Sequence, residues 1–139
     1  MTISTVNNAK TEKEFHQLPF DIYKNDKNWV PHLKQDIEKV FDKKFNKYFR
    51  HGEAVRWILQ KEGKTIGRIA AFINEKANKK SNTKIGGVGF FECIDDEAAA
   101  FKLFDTAKAW IENKGMDTIE GPVNFGEKDK YWGKITENF

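Results

Sequence analysis

The sequence predicts an α/β protein with a mixed α+β sheet, in the element order β-α-α-β-β-β-α-β, and two patterns carry this prediction. Three apolar or alternating segments between Val55 and Ile94 are typical of antiparallel strands. After them comes a helical stripe over Glu97 to Lys114, then Gly115, then an alternating strand over Asp117 to Val123. A helix of this length suits a crossover between parallel neighbours, so the sheet is expected to be mixed.

The N-terminal part is expected to form one strand and two helices. Thr2 to Asn7 is rich in β-favouring residues, and Thr11 with Glu14 matches a capping box that starts a helix near residue 12. Pro19 is expected to interrupt that helix, and the alternative is a second turn that continues through Phe20, Ile22 and Tyr23. A second helix, ending at about residue 41, is predicted by apolar residues at helical spacing, namely Leu33, Ile37, Val40 and Phe41.

The three central strands are predicted to form an antiparallel meander. Glu62-Gly63-Lys64 is a short hairpin turn, and Glu75 to Lys84 is expected to be a mobile polar loop. Alternation along the third strand puts Phe90, Glu92 and Ile94 on one face, and Phe91 and Cys93 on the other. Capping of the following helix by Asp95 or Asp96 and a stop at Gly115 complete the pattern.

Composition excludes several classes of protein. With 139 residues, 39% hydrophobic and 32% charged, the chain falls in the globular range. A net charge of +3 does not by itself indicate a nucleic-acid partner. The sequence lacks both an apolar stretch long enough for a membrane span and the apolar run of a signal peptide, so we expect a soluble cytoplasmic protein without a membrane partner. The single Cys93 excludes an intrachain disulfide and a cysteine-based zinc site.

Few residues suggest chemistry, and each has a structural alternative. His16, His32 and His51 lie too far apart in sequence for a helical metal site, so they are expected at the surface with no metal bound. Cys93 is expected to be a buried structural thiol, since the neighbouring acids oppose a nucleophilic thiolate. Glu92 is the candidate general base, because its apolar strand face can raise its pKa; the alternative is a surface or helix-capping acid.

Two further features have both a functional and a structural interpretation. The basic segment Lys34 to Lys47 could be an amphipathic surface for nucleic acid or membrane, but a core helix with a solvated lysine face is the commoner arrangement. The tryptophans are likewise expected in the core rather than as ligand platforms; they are Trp29, Trp57, Trp110 and Trp132. Gly86, Gly87 and Gly89 do not form a phosphate loop, because they precede a strand rather than open a helix.

Several segments together resemble the N-terminal part of a bacterial GNAT-like family, whose members are described as N-acetyltransferases or as uncharacterised proteins. The resemblance covers nearly the whole chain. Its segments are Trp29-Val30-Pro31, Gly67-Arg68-Ile69-Ala70-Ala71, Gly89-Phe90-Phe91-Glu92-Cys93-Ile94-Asp95-Asp96, and Lys114-Gly115-Met116 leading to Gly121-Pro122-Val123-Asn124-Phe125-Gly126. The family resemblance implies a GNAT fold, acetyl-CoA as the acyl donor and a small-molecule amine as the acceptor, with Glu92 or a water as the base.

The chain departs from the GNAT pattern at the site of the coenzyme A pyrophosphate. GNAT enzymes carry a Gln/Arg-x-x-Gly-x-Gly/Ala loop there, whereas this chain has Ile94-Asp95-Asp96-Glu97-Ala98-Ala99. Three carboxylates at a helix N-terminus repel phosphate, so the cofactor-binding residues stay unassigned. Residues 1–139 are expected to be one GNAT-like domain that ends before the last helix and strands of the fold. The alternative function is a non-catalytic half that shapes a substrate cleft, forms a homodimer or pairs with a second GNAT-like half.

Overall fold

The computed structural model describes residues 1–29, 34–44, 46, 52–121 and 135–138. The elements are β1 Thr2–Thr5, α1 Ala9–Ile22, α2 Lys34–Phe41, β2 Gly52–Lys61, β3 Lys64–Asn74, α3 Glu75–Ser81, β4 Ile85–Cys93, α4 Glu97–Asn113, β5 Thr118–Gly121 and β6 Ile135–Asn138. The predicted order of strands and helices is confirmed from β1 to β5. The structure adds one short helix, α3, and one strand, β6.

One six-stranded sheet contains the strands in chain order, β1 to β6. Strands β1 to β4 are antiparallel, β5 runs parallel to β4, and β6 is antiparallel to β5. The predicted meander and crossover are therefore confirmed. The hairpin between β2 and β3 turns on Glu62 and Gly63, which have φ angles of 53° and 76°. Two successive left-handed residues are what a two-residue hairpin loop requires, since their twist matches that of the strands.

Helices cover both faces of the sheet, so alternate residues of β2 to β4 enter two separate apolar layers. The layer under α4 contains Trp57, Leu59 and Ile69 from the strands, together with Leu103 and Ile111 from the helix. The opposite layer, under α1 and α2, is built mainly from aromatic and aliphatic side chains, namely Phe15, Ile37, Ile58, Phe72 and Phe90. The predicted division of β4 is confirmed, because Phe90 faces α1 while Phe91 and Cys93 face α4.

The start of α1 differs from the prediction. Asn8, rather than Thr11, is the N-cap: its side chain accepts the Thr11 amide, and the Thr11 hydroxyl accepts the Asn8 amide. The capping box therefore lies three residues earlier than the Thr11–Glu14 pattern indicated, since Asn is as good an N-cap as Thr. Pro19 does not interrupt the helix either, which continues to Ile22 with the proline buried inside it.

The expectation of a polar loop over Glu75 to Lys84 is wrong, because Asn74 caps a seven-residue helix there by accepting a hydrogen bond from the Ala77 amide. The predicted element order has no strand after β5, and the structure adds β6, which pairs with β5 from Thr118↔Asn138 to Gly121↔Ile135. Val123, at the end of the predicted strand, lies outside the described residues.

Helix α2 is fixed to the sheet by a buried ionic group. Arg56 of β2 donates to both carboxylate oxygens of Glu38, at 2.6 and 2.9 Å, and His16 Nε2 lies 2.5 Å from Glu38 Oε2. The guanidinium also stacks over the Phe41 ring, 4.2 Å from its centroid. The expectation of a surface histidine is wrong for His16, which is buried. The α1–α2 packing brings Glu38 to it, a partner 22 residues away in sequence.

Low pH should weaken the packing of α2 on the sheet, because protonation of Glu38 removes its charge. Burial disfavours the charged carboxylate, but hydrogen bonds from His16 and Arg56 outweigh it and lower the pKa of Glu38 to about 2. A depressed folded-state pKa contributes stability that is present above the unfolded pKa, near 4.5, and is lost as pH falls through about 2. We expect the free energy of unfolding of the wild type to fall more steeply over this window than that of Glu38→Gln.

The measurement is urea unfolding at several pH values. Asp105→Asn, an exposed carboxylate on α4, is the control and should follow the wild-type profile. Parallel profiles for the wild type and Glu38→Gln between pH 4.5 and 2 would contradict this role of Glu38.

Close packing of α4 on the sheet gives a second prediction. A Cβ added at Gly86 of β4 would lie 2.5 Å from Cγ2 of Ile111. Gly86→Ala should lower the free energy of unfolding by about 1–3 kcal/mol through overpacking. In a double-mutant cycle, Ile111→Ala should remove most of that penalty, so the two effects should not add. Additive losses in urea unfolding would show that Gly86 and Ile111 do not compete for this space.

Candidate active site at the end of β4

The edge of β4 is only partly covered by β5. The two strands pair at Ile85↔Thr118, Gly86↔Ile119 and Gly87↔Glu120, whereas β4 continues to Cys93. Beyond Gly87, no further β5 partner is present within the described residues. Within the described part of the chain, β4 and β5 therefore pair along the first three residues of β4, and Glu92 and Cys93 lie beyond that pairing.

A β-bulge interrupts β4 shortly before Glu92. Arg68 of β3 lies opposite Glu92, and Ala70 lies opposite Gly89, so Phe90 and Phe91 together lie opposite the single residue Ile69. Phe90 has a φ of 55°. A left-handed conformation costs a bulky L-residue about 1–2 kcal/mol, and it persists only where the surroundings impose it. Bulges bend the strand and re-aim its side chains, and here the bulge lies two residues before Glu92.

Arg68 lies buried beneath this bulge. Its Nε donates to the Phe90 carbonyl at 2.9 Å, and its Nη1 donates to the Phe15 carbonyl of α1 at 2.6 Å. The guanidinium also lies over the Phe15 ring, 4.5 Å from its centroid. The Phe15 carbonyl is available because its helical partner would be the amide of residue 19, and proline has no N–H. Pro19 and Arg68 therefore form a matched pair across the α1–β3 interface.

Glu92, the predicted general base, is half-buried at the end of β4, on the same face as Arg68. The Tyr23 hydroxyl, at the C-cap of α1, donates to Glu92 Oε2 at 2.7 Å. This hydrogen bond, followed by burial and the negative charge of Glu92, raises the pKa of Tyr23 to about 12. The phenol therefore keeps its proton at neutral pH and acts as a hydrogen-bond donor.

An aromatic surface adjoins the Tyr23–Glu92 pair. The Trp29 ring stacks on Tyr23 with centroids 5.2 Å apart, and Phe20 meets Trp29 edge-on at 5.1 Å. Phe20 is 45% exposed, so part of this surface is open to solvent. A carboxylate next to aromatic faces can attract a cationic amine. Trp29 was expected in the core; it is half-buried here, whereas Trp57 is buried and Trp110 packs against the core as predicted.

The start of α4 matches its expectation, whereas Cys93, expected to be buried, is only partly buried. The Cys93 thiol packs with the layer under α4, and burial, followed by the charge of Asp96, raises its pKa. A thiol that resists deprotonation is a poor nucleophile. Asp96 caps α4 by accepting the Ala99 amide at 3.1 Å. With Asp95 and Glu97 beside it, this helix start does not fit a pyrophosphate, and no cofactor step is assigned to it.

The remaining candidates lie apart from this site or outside the described residues. Lys34 and Lys39 are exposed on α2 while Ile37 is buried, as a core helix with a lysine face predicts. His32, His51, Lys47 and Trp132 lie outside the described residues. Within the described ranges, no group of three or more His, Cys, Asp or Glu side chains could hold a metal. None of the helices that these ranges form combines the length and apolar character needed to cross a membrane.

Sequence reasoning found Glu92 but missed its partner and its support. Tyr23 is 69 residues from Glu92 in sequence, so no local pattern joins them. Arg68 did leave a signal, because it is a charged residue inside the uniformly apolar strand from Ile66 to Ile73. A buried arginine predicts nearby acceptors. Pro19 within a helical pattern leaves one such carbonyl free.

No protein-family model matches the chain. Two relatives span it: protein YghO of Escherichia coli, 30% identical over 137 residues, and a bacterial ceramide synthase of Caulobacter vibrioides, 27% identical over 126 residues. The matches cover 99% and 87% of this chain but 35% and 33% of the relatives. The chain therefore spans about a third of the length of these relatives.

Several solved structures have the same fold. A tandem GNAT protein from the clavulanic acid biosynthesis pathway has a TM-score of 0.68 at 11% identity, covering 88% of this chain and 36% of that one. An aminoglycoside 6′-N-acetyltransferase complexed with coenzyme A has 0.58 at 14%, covering 86% and 60%. FeeM, an N-acyl amino acid synthase from uncultured soil microbes, has 0.55 at 11%, covering 86% and 73%. The chain thus has a GNAT-like fold, as the resemblance predicted.

Proposed function

We propose that this chain is the acceptor-binding domain of an N-acyltransferase, which transfers an acyl group from a coenzyme A thioester to a small-molecule amine. The observation that carries the proposal is the Tyr23–Glu92 pair near the end of β4. Amide formation requires the nitrogen to lose a proton, and a half-buried carboxylate within reach of the amine can accept it. The fold and the relatives support the same chemistry.

In this proposal Glu92 accepts the proton of the attacking amine, while Tyr23 orients the carboxylate. The 2.7 Å hydrogen bond occupies Oε2, so the other carboxylate oxygen would face the amine. Tyr23 stays protonated because its pKa is about 12. The exposed ring of Phe20 and the half-buried ring of Trp29 would contact the apolar part of the acceptor. Binding of an ammonium group is favoured by the adjacent carboxylate and by aromatic faces.

The acyl donor in this proposal is a coenzyme A thioester. The family resemblance implies acetyl-CoA, and one structural neighbour is complexed with coenzyme A. Another neighbour is named an N-acyl amino acid synthase and one relative a ceramide synthase, and both names describe acylation of an amine. The acids at Asp95, Asp96 and Glu97 do not fit the donor's pyrophosphate, so its phosphates would be bound by other residues.

A second function follows from that mismatch. In it, the chain is a non-catalytic GNAT-like half that shapes the acceptor cleft, while a second GNAT-like half or a second copy of the chain binds the donor. The neighbour with the TM-score of 0.68 is a tandem GNAT protein, which supports this arrangement. The first experiment is therefore calorimetric titration of the purified chain with acetyl-CoA and a long-chain acyl-CoA, with its oligomeric state measured in the same buffer. Saturable micromolar binding favours the transferase; no binding by the folded chain favours the non-catalytic half.

Glu92→Gln should abolish most of any transfer to a panel of amines. Loss of a general base lowers kcat by about 10²–10⁴-fold, whereas binding of the acyl-CoA should be unchanged. Glu75→Gln makes the same chemical change at an exposed carboxylate on the first turn of α3 and should leave kcat near the wild-type value. The readout is thiol release with a chromogenic reagent. Equal rates for Glu92→Gln and wild type would remove Glu92 from the mechanism.

A further inference from the structure

The position of Glu92 depends on contacts that do not involve Glu92 itself. Tyr23 belongs to α1 and Glu92 to β4, so their hydrogen bond forms only if the helix and the strand keep a fixed separation and register. Covalent continuity does not provide this, because the residues are 69 positions apart. Some contact between α1 and the end of β4 must set the distance, and a buried directional contact does so best.

Arg68 provides such a contact to both elements at once. Its Nη1 donates to the Phe15 carbonyl of α1, a little more than two helical turns before Tyr23. Its Nε donates to the Phe90 carbonyl of β4, two residues before Glu92. The side chain is 4% exposed. One planar guanidinium therefore bonds both elements that carry the pair, with a geometry that a flexible ammonium does not reproduce.

Each acceptor is a carbonyl that ordinary secondary structure leaves available. Pro19 lacks the N–H that would bond Phe15 within α1. Phe90 has a positive φ inside the bulge, so its carbonyl turns toward Arg68. Since the C=O and the next N–H of a trans peptide point in opposite directions, the Phe91 amide is directed away from Arg68. Arg68 thus fixes the peptide plane at the bulge as well as the helix.

We propose that Arg68 is a positioning residue that sets the Tyr23–Glu92 pair, by joining the helix carbonyl freed by Pro19 to the carbonyl of the strained bulge. Its importance for catalysis rests on the proposed function, but its effect on the pair does not. A purely structural alternative is that Arg68 only fills space and supplies charge beneath the sheet. When Arg68 is replaced, the two roles predict opposite changes in the pKa of Tyr23.

Glu92 and Arg68 act on the pKa of the Tyr23 phenol in opposite directions. The hydrogen bond to Glu92 is the largest influence and raises the pKa of Tyr23, whereas the positive charge of Arg68 lowers it. Removing the charge alone would therefore keep Tyr23 protonated to still higher pH. Removing Arg68 as a positioning group would separate Tyr23 from Glu92 and return the phenol toward its ordinary pKa of 10.0.

The experiment is NMR of the 139-residue chain with ¹³C-labelled tyrosine rings, titrated from pH 8 to 11. The Tyr23 signal is assigned with Tyr23→Phe. Arg68→Met removes charge and donors at similar volume, and Arg68→Lys keeps the charge but lacks the planar pair of donors. Arg56→Met is the matched control, because Arg56 is buried on the same face but bonds Glu38 of α2. Circular dichroism identifies the pH range over which each variant stays folded.

Tyr23 should stay mostly protonated at pH 11 in wild type and in Arg56→Met. It should ionise near pH 10 in folded Arg68→Met and Arg68→Lys. If Arg68→Met unfolds, Arg68→Lys carries the test, because it retains the stem and the charge. A folded Arg68→Lys in which Tyr23 stays protonated to pH 11 would overturn the proposal. Absence of acyl transfer, together with Tyr23 ionisation that depends on Arg68, would reject the proposed function and leave this inference standing.

Discussion

The packing of α1 on the sheet depends on the hydrogen bond that the Phe15 carbonyl accepts from Arg68. Pro19 removes the hydrogen-bond partner of Phe15 within α1, and the Phe15 side chain is fully buried against the sheet. An unpaired carbonyl there would cost about 1–3 kcal/mol. Arg68 of β3 donates to this carbonyl through Nη1 at 2.6 Å. The hydrogen bond forms only in the register of the helix that places Phe15 above Arg68. Pro19 removes one hydrogen bond from α1 and thereby specifies where α1 packs.

The layer under α1 and α2 is consequently both aromatic and ionic. Arg56 and Arg68 are buried among phenylalanine rings, with Arg56 4.2 Å from the Phe41 centroid and Arg68 4.5 Å from that of Phe15. Arg56 is bonded to a carboxylate, whereas Arg68 donates to main-chain carbonyls. Leaving such a buried charge without its partner costs about 3–5 kcal/mol. Both arginines therefore restrict how the helices can sit on the sheet, which an all-apolar layer would do less strictly.

Local signals in the sequence are enough for most of the fold. Alternation in the meander, the Glu62–Gly63 turn and the Gly115 stop each act within a few residues, and each prediction from them is confirmed. The errors arise where several local solutions compete or a distant partner decides. Asn8 and Thr11 are both competent caps, and only the structure shows that Asn8 is used. His16 is buried because Glu38 reaches it from another helix, which no spacing in the sequence encodes.

The same distinction explains the candidate site and its electrostatics. Alternation placed Glu92 on the correct face of β4, but Tyr23 and the bulge at Phe90 come from long-range packing. The carboxylates near the end of β4 favour one kind of ligand and disfavour another. Glu92 and the acids that start α4 attract a cationic amine and repel a polyphosphate at the same place. In the proposed transferase, the thioester of the donor would lie toward Glu92 and its phosphates away from Asp95 and Asp96, because both reaction partners must come within bonding distance.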